Sequence, residues 1–164
     1  MIGDELDSGD ILANDYLPID IETTVADALN WIARVTPELF VQALSQLQLV
    51  PDFILETQSK DPALALRCCP RRPEDGRIDW QKSALDIVRL VNASGRPYAG
   101  PFCLFEGRKL TIWSAKLGDD ERFLAVPGQA TAITGNFLEV TAGEGKVRLT
   151  NLSFDKEAVL PFEV

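Results

Sequence analysis

A chain of 164 residues, 46% hydrophobic and 25% charged, has the make-up of a folded protein, and no apolar run in it approaches the ~18 residues of a membrane span. It holds no histidine and three cysteines without CxxC spacing (Cys68, Cys69 and Cys103), which excludes a histidine base, a Ser-His-Asp triad or a Cys-His pair within these residues and argues against any zinc or other metal site. Residues 1–66 carry 12 acidic and 2 basic side chains and residues 67–164 carry 13 and 14, so the net charge of −9 sits almost wholly in the first part and no basic stripe for nucleic acid is expected.

Met1 to Asp10 is acidic, unlike a signal or transit peptide, so the expected location is cytoplasmic, with the cysteines as reduced, structural thiols. Asp7-Ser8-Gly9-Asp10 has turn chemistry. Ile11 to Ile21 reads as extended, with Pro18 making it an edge strand or ending it. Thr23 or Thr24 is a candidate helix N-cap. Val25, Leu29, Ile32 and Ala33 recur at helical spacing. Pro37, with Thr36 before it, predicts the first position of a second helix whose apolar face is Leu39, Phe40, Ala43, Leu44 and Leu47. One edge strand and two helices do not make a core by themselves; they need a sheet or another body to lie on.

Pro51, Pro62, Pro70 and Pro73 punctuate a linker with an extended piece near Phe53 to Glu56. Ser83 to Asp86 has capping-box spacing and predicts a helix over 83–92. Gly95, Pro97, Gly100 and Pro101 force a loop. Strands are then expected at 102–105, 110–115, 128–133, 137–141 and 146–152, a count and spacing that suit a small barrel. The expected class is α+β: residues 1–66 a strand plus two helices, residues 67–164 a helix and an OB-like β-barrel.

Two separate motifs carry a resemblance. Asp4-Glu5-Leu6-Asp7-Ser8-Gly9-Asp10-Ile11 resembles a loop of the 10-formyltetrahydrofolate-dependent formyltransferases, the family that includes glycinamide ribonucleotide, methionyl-tRNA and nucleotide-sugar formyltransferases. Arg71-Arg72-Pro73-Glu74-Asp75-Gly76-Arg77-Ile78-Asp79-Trp80 resembles the start of that family's C-terminal domain, and Pro97 to Phe102, Lys109 to Trp113 and Pro127-Gly128 continue the likeness. The resemblance implies that 1–66 is the end of the family's α/β catalytic domain plus linker, and 67–164 its C-terminal barrel domain.

By the same resemblance the chemistry is formyl transfer from the cofactor 10-formyltetrahydrofolate to an amine, performed in the family by an Asn, a His and an Asp. Asp7 matches that Asp, as the catalytic residue that orients and charge-balances the His. Asp4, Leu6 and Asp7 fall in the loop lining the folate pocket. The Asn-x-His half has no counterpart here, so the chain is expected to be a truncated form, inactive alone, with a missing N-terminal catalytic half as a possible partner. Near-neutral charge in 67–164 favours a nucleotide-linked amino sugar as acceptor over tRNA. A methionyl-tRNA formyltransferase fragment and a non-catalytic interaction module are the alternatives, and a single-strand nucleic-acid binder a weaker one. Trp80 and Trp113 are read as packing residues, Asp75-Gly76 as a tight turn, and Arg71 and Arg72 as partners of the acidic first segment, with a phosphate as the alternative partner.

Overall fold

The computed structural model describes residues 9–64, 66, 68–119, 124–154 and 157–159. It is α+β, with a long helix α1 (Val25–Leu49), a second helix α2 (Ala84–Ser94) and six strands: β1 (Phe102–Phe105), β2 (Arg108–Leu117), β3 (Ala130–Ile133), β4 (Leu138–Thr141), β5 (Lys146–Phe154) and β6 (Glu157–Val159). No described helix is long and apolar enough to cross a membrane. The chain divides into two compact units: a helical unit drawn from Met1–Pro18 and Ala28–Pro70, and a barrel unit drawn from Ile19–Asp27 and Arg71–Val164.

In the helical unit α1 is one helix, not the two expected, with Pro37 inside it. An interior proline removes a backbone donor and leaves the carbonyl four residues earlier without its bond. Here that carbonyl belongs to Ala33. Both Ala33 and Pro37 are exposed, so water can satisfy it and the helix continues. The strand expected across 11–21 shrinks to a single antiparallel bridge between Ile11 and Glu56. It is made by Ile11 N–H to Glu56 O (2.9 Å) and Glu56 N–H to Ile11 O (3.2 Å), and Leu55 N–H also donates to Ile11 O (2.9 Å). Val35 is the one hydrophobic side chain buried in this unit among the described residues.

The barrel unit owns the core. Its strands form an antiparallel sheet in the order β1-β2-β5-β4-β3, curled into an open barrel. β5 is central: β2 pairs along one edge, while β4 (from Lys146 to Leu149) and β6 (from Leu152 to Phe154) share the other. Ile112, Val147, Leu149 and Leu152 from the sheet meet Ile87 and Val91 from α2, each 2% exposed or less. β6 lay beyond the expected strands.

Capping fixes where the helices begin. Ser83 Oγ accepts from Asp86 N–H (3.1 Å) at the start of α2. At α1, Thr24 Oγ1 accepts from Asp27 N–H (3.2 Å) while Asp27 accepts from Thr24 N–H (2.9 Å), a reciprocal box. The Arg71–Trp80 motif is a tie to the barrel. Pro73–Gly76 forms a 3-10 turn with Asp75 accepting from Arg72 N–H at 2.7 Å. Ile78 N–H then reaches Phe102 O, and Gly143 N–H reaches Lys82 O.

A buried ion cluster lies in the β4–β5 pair. The Glu139 carboxylate takes Lys146 Nζ at 2.7 Å on one oxygen and Arg148 Nε at 3.0 Å on the other, and Arg148 also pairs with Asp119. Glu139 and Lys146 side chains are 5% and 6% exposed. Burial pushes the Glu139 carboxyl up, but the hydrogen bonds and charges of Lys146 and Arg148 outweigh it and hold it below its ordinary value.

Candidate functional site

The residues matched to the family's catalytic and folate loop, Asp4, Leu6 and Asp7, lie outside the described residues. The end of that loop is visible and anchored. Asp10 accepts from Gln58 N–H (3.2 Å), next to the Ile11–Glu56 bridge.

Within the barrel unit, a cleft of about 230 Å³ is lined by Thr24, Val25, Ala26, Val91, Asn92, Gly95, Arg96, Trp113 and Asn151. Local features of the sequence build it. The β2–β5 register slips between Ile112 and Ala115, which places Trp113 at a bulge, and a bulge re-aims the side chain it carries. The indole Nε1 donates to Ser153 Oγ (2.8 Å), and the Arg96 guanidinium lies 4.8 Å over the ring. Gly100, at φ +77°, lets the ring approach: a Cβ there would stand 2.7 Å from Thr111 Cγ2 and 2.8 Å from Trp113 Cζ3. Asn92 is held by its bond to Ile21 O (2.6 Å).

What the cleft can do follows from its size and its free groups. It is smaller than the ~300–1,000 Å³ usual for a drug-sized ligand. The α1 start offers little to an anion, because its first turn is already capped by Asp27. The Thr24 hydroxyl and N–H hold that carboxyl below its usual value. The free groups are the Arg96 guanidinium and the Asn151 amide, beside a half-buried indole. They suit one planar or phosphate-bearing group at the surface.

Three cations of this unit lie over aromatic rings and belong to no ion pair among the described residues: Arg96 over Trp113, Arg108 over Phe154 (4.3 Å) and Lys109 over Phe102 (4.4 Å). Counting charge along the sequence missed this, since the local pairing of cations with rings does not change the net charge. Arg71 and Arg72 are exposed. Trp80 packs on the core beside Gly128, as expected; Trp113, read as packing, also forms a wall of the cleft. Cys68, Cys69 and Cys103 are free. The first two are exposed and so pack no core, while burial pushes the Cys103 thiol up to about 11.

Comparison with known proteins gives this geometry a context. The methionyl-tRNA formyltransferase of Coxiella burnetii is 32% identical over 154 residues, 94% of this chain and 48% of the relative. That of Moorella thermoacetica is 27% identical over 157 residues, 96% of this chain and 49% of the relative. The chain thus spans about half the length of the curated relatives it matches. Among solved structures, a variant of HypX from Aquifex aeolicus superposes with a TM-score of 0.67 at 21% identity, covering 97% of this chain and 28% of that one. HypX in complex with tetrahydrofolic acid gives 0.64 at 22% identity, covering 97% and 27%. These two likenesses establish the fold. Residues 71–163 match the family model described as "Formyl transferase, C-terminal domain", and the chain belongs to that family.

Proposed function

We propose that this chain is the C-terminal part of an enzyme that passes a formyl group from 10-formyltetrahydrofolate to an amine, and that its barrel unit holds the acceptor and does not perform the transfer. The cofactor would supply an activated formyl carbon for the amine to attack. The chain's own share of that chemistry is Asp7, which would orient and charge-balance an imidazole supplied by another part of the enzyme, with Asp4 and Leu6 in the loop lining the folate pocket. The observation that carries the reading is the family match over residues 71–163, joined to a chain without histidine. Purified alone, the chain is expected to transfer no formyl group to any amine.

For the acceptor, two observations pull in different directions. The curated relatives are methionyl-tRNA formyltransferases, and the free cations Arg96, Arg108 and Lys109 beside aromatic rings are the arrangement that suits a nucleic acid. They favour a tRNA-borne amine. The near balance of 13 acidic and 14 basic side chains over 67–164 favours a nucleotide-linked amino sugar, and that is the second reading.

A gel shift with initiator tRNA separates them. On the first reading the tRNA is retarded, binding weakens steeply between about 50 and 200 mM salt, and Arg96→Ala and Arg108→Ala each weaken it. No retardation, with calorimetric heat on adding a UDP- or dTDP-linked 4-amino sugar, moves the acceptor to the second reading. Silence in both assays leaves a non-catalytic interaction module.

A further inference from the structure

We infer that Cys68-Cys69, the exposed pair near the end of the helical unit, is a site of reversible thiol modification that takes a small acidic disulfide of the glutathione type. Cysteine is among the residue types most often buried, yet here two in succession are exposed and free. Cys103 is the contrast. It is partly buried against the barrel core, and burial pushes its thiol up to about 11, so little of it is the thiolate that attacks a disulfide. The exposed pair is open to a reagent from solvent. Beside it stands a basic doublet: Arg71 and Arg72 are both exposed, and only Pro70 separates them from Cys69. Two or three residues of chain reach at most ~7–11 Å, about one Debye length at physiological salt, so the doublet's field is felt at the sulfurs. The nearest acidic residues in sequence, Asp61 before the pair and Glu74 after it, stand farther along the chain. An anionic disulfide is drawn to such a spot and a neutral one is not.

The exchange balances with glutathione disulfide as the only reagent. A thiolate of the pair attacks one sulfur of that disulfide. A bond forms between the protein sulfur and one glutathione, the reagent's own S–S bond breaks, and the other glutathione leaves as a thiolate and takes up a proton. The cysteine sulfur is oxidised and the leaving sulfur is reduced. Adjacency then decides the product. The Cα atoms of neighbouring residues lie ~3.8 Å apart across a trans peptide, short of the ~4.4–6.8 Å that a disulfide spans without strain. The second thiol therefore gains no stable ring by displacing the glutathione, and a strained ring would be reopened by free thiol. The mixed disulfide is the resting product. A second adduct would set like charges side by side, so the pair takes one. The modification places an acidic tripeptide beside Arg71 and Arg72, at the start of the segment 71–163 that matches the C-terminal domain family, and a reductant removes it.

The test is the intact mass of the full chain during incubation with glutathione disulfide. The expected result is a gain of one glutathionyl group, reversed by dithiothreitol, kept in Cys103→Ser and lost when Cys68→Ser and Cys69→Ser are combined. Arg71→Glu together with Arg72→Glu should slow the gain by about threefold or more at low salt, and the gap should close at high salt. With the neutral reagent hydroxyethyl disulfide the same variant should react at the parent's rate. No mass gain, an adduct that maps to Cys103, or the loss of a hydrogen pair without an adduct overturns the inference, the last because it would mean a closed ring between the neighbours. An unslowed arginine variant overturns it too. So does equal slowing with both reagents, which would assign the doublet to the state of the thiols and not to recognition of an acidic disulfide.

Discussion

The two units of this chain solve the problem of apolar side chains in opposite ways. The barrel unit buries a cluster of fifteen hydrophobic residues and an ion cluster, while the helical unit buries Val35 and leaves Phe40, Val41 and Leu44 in water. Helix propensity does not separate them, since both hold a well-formed helix with an apolar stripe. What differs is whether a second layer faces the stripe. α2 has β2 and β5 to pack on, and among the described residues α1 has no sheet of its own unit to meet. A helix is stabilised chiefly by that packing, so the barrel unit should behave as a cooperative fold and the helical unit should contribute little to it.

Four substitutions would sharpen or break that contrast. The largest effect is expected for Lys146→Ala, which strands the buried Glu139 carboxylate with Arg148 alone. Breaking one side of a buried pair costs about 3–5 kcal/mol, to be read as a fall in the urea midpoint of the barrel unit. The same change alters the acid limb. With its carboxyl held below the ordinary value in the fold, Glu139 contributes stability that is present above the ordinary carboxylate range and lost as pH falls through the lowered value. Without Lys146 that loss should be smaller and complete at a higher pH. A variant with an unchanged acid profile would show that the cluster carries no weight.

Next comes a matched pair. Leu149→Ala, at a site 1% exposed, should cost about 2–5 kcal/mol, and Phe40→Ala, at a site 65% exposed, should stay within about 0.5 kcal/mol. Similar costs at both sites in thermal melts would mean that α1 is covered in solution after all. The smallest effect is Ser83→Ala, which removes the α2 cap and should cost about 1 kcal/mol. If it cost nothing, α2 would owe its start to the bond between Ala84 N–H and Glu144 O (2.8 Å) and not to the cap.

The barrel was legible because its signals are local. Ser83 and Asp86 mark the start of α2, and Gly107 and Gly145 sit at positive φ in the turns that join strands. The helical unit was harder to read. Pro37 is a strong stop signal in isolation, and only the exposure of Ala33 and Pro37 explains why α1 passes through it. The extended stretch expected across 11–21 has no partner strand among the described residues and shrinks to one bridge. The cleft was invisible for a different reason: it depends on a register slip at Trp113 and on the proximity of Gly100, two facts of pairing that no single segment encodes. The catalytic assignment of Asp7 came from motif likeness, and it awaits mutation in an enzyme that holds the matching imidazole.

The strip from Arg71 to Lys82 looks like a leader to the barrel, yet it is sewn to it at both ends. Ile78 bonds to Phe102, and Gly143 is so close to Gln81 that a Cβ there would stand 2.0 Å from the carbonyl oxygen. Anyone trimming this protein for crystallography at the obvious place, the beginning of α2, would cut away the hem that closes two barrel turns. A shortened version should keep everything from Arg71 onward.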